Sequence, residues 1–137
     1  YHDAIMPTRK TADSAGYDLH AYCSESIRPG EIKFIETGIK CKLPRGKYLQ
    51  LHLRSSVGTK FAGIMLANGT GIIDADYYNA DNEGHIMCKF MNDSRDDKHL
   101  LIEKGQGMVQ GIFMSFGDTV DDDANDERTG GIGSTTK

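Results

Sequence analysis

The chain has 137 residues, 38% of them hydrophobic and 26% charged, with no Trp and a formal net charge of -4. That length suits one domain with a substantial core. The acidic balance argues against a direct nucleic-acid binder, which needs a surplus of Lys and Arg to displace counterions, but leaves room for an anionic substrate where a few cations converge.

The first notable segment is Ala15-Gly16-Tyr17-Asp18-Leu19, a tight turn followed by a carboxylate. Period-two alternation then predicts strands over Ile39–Leu43 and Leu49–Arg54, and again over Ile86–Met91 and Met108–Phe113. Turn chemistry separates them at Arg28-Pro29-Gly30, Pro44-Arg45-Gly46, Asn92-Asp93-Ser94 and Lys104-Gly105. Short strands at this spacing predict a sandwich, jelly roll or barrel. One short helix is expected over Ser56 to Phe61. Arg54-Ser55-Ser56 stands at the strand–helix junction, where a Ser can cap the helix and the helix N-terminus can take a phosphate.

Asn68-Gly69-Thr70-Gly71-Ile72-Ile73-Asp74-Ala75-Asp76-Tyr77 is the most informative stretch. Its glycines permit a sharp turn and close backbone approach, and Ile72 and Ile73 favour a strand, so a hairpin that offers main-chain groups to a guest is expected. Asp74 is placed to act as a base and Tyr77 to supply a flat wall. The most apolar short run, Ile64-Met65-Leu66-Ala67, ends at Asn68, so no membrane span is expected. Tyr1-His2-Asp3 has no signal-like character. Cys23, Cys41 and Cys88 are odd in number and widely spaced, which predicts reduced thiols in a cytoplasmic protein; the five His lack metal-ligand spacing.

Gly105-Gln106-Gly107-Met108-Val109-Gln110 reads as a turn into a strand, with Gln110 a polar donor. From Gly117 to Glu127 the chain is acidic and almost free of apolar residues, the composition of a solvated linker. The expected division is a β core (1–117), a linker (118–127) and a tail (128–137). The tail, Arg-Thr-Gly-Gly-Ile-Gly-Ser-Thr-Thr-Lys, combines an Arg fork, glycine N–H groups and hydroxyls suited to phosphate. It lacks the Gly-Lys-Ser/Thr order of a Walker loop. Beyond a flexible linker, it is built as a lid.

These five segments, in this order, resemble the five motifs of the trimeric dUTPase (deoxyuridine 5'-triphosphate nucleotidohydrolase) family, from about Ser14 to Thr135. The resemblance implies an all-β jelly-roll subunit and a homotrimer with shared sites: motifs one, two and four mainly from one chain, the third from a neighbour, the tail from another. It also implies hydrolysis of dUTP to dUMP and pyrophosphate with Mg²⁺, which limits uracil in DNA and supplies dUMP for dTMP synthesis. Asp74 would be the base for the attacking water, and Asp18 would hold the Mg²⁺ hydration shell. Asn68, Gly71, Ile72 and Ile73 would read uracil, Tyr77 would exclude a 2′-hydroxyl, and Met87 would touch substrate through its backbone. Arg54, Ser55, Ser56, Gln110 and Arg128 would bind phosphates, with Ile132, Gly133, Ser134 and Thr135 closing over the nucleotide.

Four departures stand out. The turn Tyr78 to Gly84 is longer than usual and is expected to loop outward, Gly107 stands where Arg or Lys is common, Ile132 replaces a stacking Phe, and Thr136 replaces a closing Gly. Two alternatives compete. A dCTP deaminase of the same fold needs an acid–base Glu, and only Glu83 is near. A nucleotide-gated module would use the inserted turn to bind a regulatory protein.

Overall fold

The structure, a computed structural model, describes residues 1–131. Among these residues nine strands run in the order β1 (Tyr17–His20), β2 (Glu25–Ile27), β3 (Ile32–Glu36), β4 (Lys47–Leu53), β5 (Ile64–Leu66), β6 (Gly71–Ile73), β7 (Met87–Asn92), β8 (Leu100–Ile102) and β9 (Gly107–Ser115). They form an antiparallel sheet in the order β1-β9-β4-β6, a three-stranded sheet β3-β7-β5 and a pair β2-β8. Among the described residues the α-helix is α1 (Ser55–Lys60), and a 3-10 turn covers Ala75–Asn79. The all-β jelly-roll expectation holds.

The reason is visible in side-chain alternation. Along β7, Cys88, Phe90 and Asn92 point inward while Met87, Lys89 and Met91 are partly exposed. Leu49 and Leu51 of β4 share one buried cluster with Met108 and Val109 of β9, Leu19 and Ile86. Side chains such as Phe90, Ile35 and Ile102 are fully buried; each contributes roughly 1.5–3 kcal/mol relative to exposure. Burial pushes the Cys88 thiol up to about 12, which keeps it out of thiolate chemistry.

Three expectations are corrected. Ile39–Leu43 alternates in burial but joins no strand ladder; the Ile86 N–H, just before β7, donates to the Ile39 carbonyl at 2.9 Å. Alternation reports which side faces the core, not whether the main chain is paired. The helix starts one residue early, with Arg54 as N-cap and no side-chain cap bond, so neither Ser caps it. Strands β5 and β6, which flank the Asn68–Thr70 bend, lie in different sheets rather than pairing as a hairpin.

One polar side chain sits at the centre of this apolar interior. Asn92, with no exposed surface, donates to the carbonyls of Ile27 (2.9 Å) and Lys98 (2.8 Å) and accepts from the Ser94 N–H (2.9 Å). It thereby joins β2, β7 and the loop before β8. Asn92→Ala should lower stability by about 3 kcal/mol, because buried groups lose their partners. Urea midpoints at fixed protein concentration check this, and a change within noise would show that the three segments hold together without it.

Candidate active site

The register of the four-stranded sheet gathers the first, second and fourth segments at one end. Asp18 lies opposite Gln110 across β1 and β9, and His52 lies opposite the same Gln110 across β4 and β9. Arg54 follows β4 directly, its N–H bonded to the Met108 carbonyl at 3.2 Å. Its Nε meets Asp18 Oδ1 at 3.1 Å. At Gly107 an added Cβ would meet the guanidinium Nη1 of Arg54, the far end of a flexible side chain that can move aside. Lys10, Ser14, Gly16, Ser55 and Gln110 join Asp18 and Arg54 around an open cleft of about 240 Å³. Ser56 is exposed on the first helical turn and does not line it.

Asp18 is only 7% exposed, yet its Oδ2 has no partner. A buried carboxylate oxygen left over after an ion pair is costly unless something binds it. Nearby His20 is held below its ordinary pKa by burial, so it adds no charge beside Asp18 at neutral pH.

The third segment builds a second, larger cavity of about 400 Å³. Asn68, Gly71, Ile72, Ile73, Asp74, Tyr77 and Met87 all line it, as the sequence suggested. Gly71 faces Leu51 across β6 and β4, where a Cβ would stand 2.9 Å from that of Leu51. The bend is pinned to β7 by the Ala67 N–H donating to the Lys89 carbonyl at 2.8 Å. Tyr77, 5% exposed, donates its hydroxyl hydrogen to the His85 carbonyl and accepts from Asn82 Nδ2 at 2.7 Å.

The described part of the tail reaches this cavity in the same chain. From 118 to 127 every residue is exposed and none is in a strand. Arg128 then bridges two acids, Nη2 to Asp74 Oδ2 and Nε to Asp76 Oδ1, both at 2.6 Å. The Asp81 N–H donates to the Thr129 carbonyl at 2.8 Å. The resemblance gave the third motif and the tail to different subunits; here they meet within one chain. The inserted turn does not simply loop outward either, since it is tied back to Tyr77 and the tail. Glu83 is exposed on its outside and does not line the cavity. Ile132, Gly133, Ser134 and Thr135, with Thr136, lie outside the described residues.

The two cavities share no lining residue, so one chain does not bring Asp74 together with Asp18 and Arg54. Sequence reasoning missed Lys10 and Lys89 as the further cations lining them, and Asp76 as an Arg128 partner. Lys89 was within reach of the pattern, two positions from Met87 on the same strand face.

A family model described as dUTPase matches residues 2–136. The deoxyuridine 5'-triphosphate nucleotidohydrolase of Lactococcus lactis subsp. lactis is 46% identical over 133 residues, 95% of this chain and 87% of the relative. The crystal structure of the Streptococcus mutans dUTPase superposes with a TM-score of 0.77 at 41% identity, covering 83% of this chain and 88% of that one. A dUTPase from phage phi11 of S. aureus, a mutant described with a coordinated structural Mg(II) ion, matches with a TM-score of 0.74 at 20% identity. It covers 92% of this chain and 93% of its own, and supports the fold. With five motifs in order, two cavities built from them and relatives spanning nearly its whole length, this chain belongs to the dUTPase family, enzymes that hydrolyse dUTP.

Proposed function

We propose that dUTP hydrolysis in this protein uses Asp74 to orient water for in-line attack on the α-phosphorus, at a site completed between chains of a homotrimer. One observation carries this reading: Asp18, Arg54, Ser55 and Gln110 line one cavity of the single chain, and Asp74 lies in another with the groups suited to uracil and sugar. An Asp74 contributed by a neighbour closes the gap.

In the assembled site the bend at Asn68 and the main chain of Gly71, Ile72 and Ile73 take the uracil edge. Tyr77 packs on deoxyribose, and the Met87 backbone borders the substrate. Lys10, Arg54, Ser55 and Gln110 hold the phosphates in line with the water. Asp74 accepts the water proton as the new P–O bond forms; the bond from the α-phosphorus to the bridging oxygen breaks and pyrophosphate leaves. Arg128 shifts from Asp74 to the phosphates, which frees the carboxylate to act. Ile132 supplies apolar cover, and Gly133, Ser134 and Thr135 supply donors, a part taken from their residue types. The division into core (1–117), linker (118–127) and tail (128–137) serves that closure.

The orphaned Oδ2 of Asp18 fits Mg²⁺, a hard cation that takes oxygen ligands and keeps much of its own water. Among the described residues no group of three His, Cys, Asp or Glu could hold a metal alone, which suits an ion completed by water and substrate phosphate. When bound, Mg²⁺ neutralises phosphate charge. A cytoplasmic setting belongs to the same reading, supported by three free cysteines. Among the described residues no helix is long and apolar enough to cross a membrane.

Pyrophosphate release from dUTP should exceed that from dCTP by about 10⁴ in kcat/KM, because cytosine leaves main-chain partners unpaired. Comparable release from both would end the reading of the bend. Asp74→Asn should cut kcat by about 10²–10⁴ while nucleotide still binds; steady-state kinetics with an isothermal binding measurement separates the two effects. Mixing Asp74→Asn protein with Arg54→Ala protein after subunit exchange should restore activity that neither has alone. If the mixture stays inactive despite verified exchange, each site belongs to one chain.

A further inference from the structure

We infer that Asn82 is a positioning residue for sugar specificity: its side-chain amide fixes the Tyr77 ring in the orientation that rejects a 2′-hydroxyl. The inference rests on the reading that Tyr77 packs on deoxyribose.

The Tyr77 hydroxyl carries one hydrogen. That hydrogen goes to the His85 carbonyl at 2.5 Å, while Asn82 Nδ2 donates to the same oxygen at 2.7 Å. With its donor spent, Tyr77 presents the cavity with a ring that has no hydrogen left for a ribose hydroxyl. A 2′-hydroxyl against such a wall loses water without gaining a partner. Discrimination therefore depends on the ring staying where it is.

Both anchors of the ring are themselves fixed. His85 accepts the Gly38 N–H at Nε2 (3.0 Å), and the next residue, Ile86, donates its N–H to the Ile39 carbonyl (2.9 Å). On the other side, Asn82 Oδ1 accepts the Gly84 N–H at 3.2 Å. The turn between them is tightly built. Glu83 adopts φ 63° and Gly84 φ 70°, and a Cβ at Gly84 would stand 2.7 Å from the Tyr77 carbonyl oxygen. The lengthened turn is thus a bracket whose two side-chain amide ends do different work. Oδ1 closes the turn, and Nδ2 reaches the tyrosine.

That division makes the inference testable apart from folding. Asn82→Asp keeps an oxygen for the Gly84 N–H and removes the donor to Tyr77. Its added charge repels dUTP and UTP alike, so it cancels in the ratio of their kcat/KM values. Because Asn82 is exposed, water competes for the same partner. The expected change is then the worth of one net hydrogen bond, about a fivefold fall in the dUTP/UTP ratio. Tyr77→Phe, which also loses the bond to His85, should give a fall at least as large, and the double variant no more than Tyr77→Phe alone. Tyr77→Ala serves as the control for the underlying reading. If Tyr77→Ala leaves the ratio unchanged, the sugar role of Tyr77 fails and this inference with it. If Tyr77→Ala collapses the ratio but Asn82→Asp does not move it, the sugar role stands and Asn82 only closes a turn. Multiplicative effects of Asn82→Asp and Tyr77→Phe would also overturn the inference, because Asn82 would then act by another route.

Discussion

Everything in this subunit hangs on the register of β9 between β1 and β4. That single strand sets Gln110 opposite Asp18 on one side and opposite His52 on the other. Because strand side chains alternate, a slip of one residue would turn Gln110 away from the cleft. Close packing at Gly111, where a Cβ would stand 3.0 Å from Leu49 Cδ1 and 3.3 Å from Leu19 Cδ1, resists the slip, because it would bring a larger residue to that point. Packing thus fixes the groups around the cleft more firmly than their own polar contacts could. The same sheet continues through β6, so the bend that carries Asp74 is registered to β4 by Leu51 opposite Gly71.

The ion pairs follow a different logic. Arg54 with Asp18, and Arg128 with Asp74 and Asp76, join cations to acids that differ in exposure. Asp74 and Asp76 side chains are 49% and 57% exposed, and pairs so open to water contribute little to stability. A weak pair is easily exchanged. Arg128 can leave its exposed carboxylates at small cost, whereas Asp18, nearly buried, keeps its place with its second oxygen buried and unpartnered.

Much of the fold was legible because half-buried strands announce themselves. The alternation in Leu49–Arg54, Ile86–Met91 and Met108–Phe113 marked β4, β7 and β9 to within two residues or so. Three-residue strands such as β2, β6 and β8 are too short to show a period, and β3, with Ile32 and Phe34 exposed, has the wrong one. The site was legible where chemistry is local: an acid after a glycine bend, or an Arg at a strand end. It was illegible where a partner is distant. Nothing in Asp76 advertises Arg128, 52 positions away, and nothing in Asn82 advertises a tyrosine hydroxyl until the turn closes.

The separation of the two cavities has a physical rationale of its own. A site that holds a triphosphate, a metal and a carboxylate base in one rigid chain would, without substrate, leave several like charges close together and unpaired. Divided, each half pairs most of its charge: the smaller cleft through Arg54 and one oxygen of Asp18, the larger cavity through Arg128 and its two acids. In the proposed assembly these halves meet around a nucleotide whose charges take over both sets of partners. The same arrangement explains how a chain of net charge -4 handles so acidic a substrate. Long-range repulsion is screened within about 10 Å at ordinary ionic strength. What governs binding is then the small group of cations that the sheet register and the returning tail set at short range, not the sum over the surface.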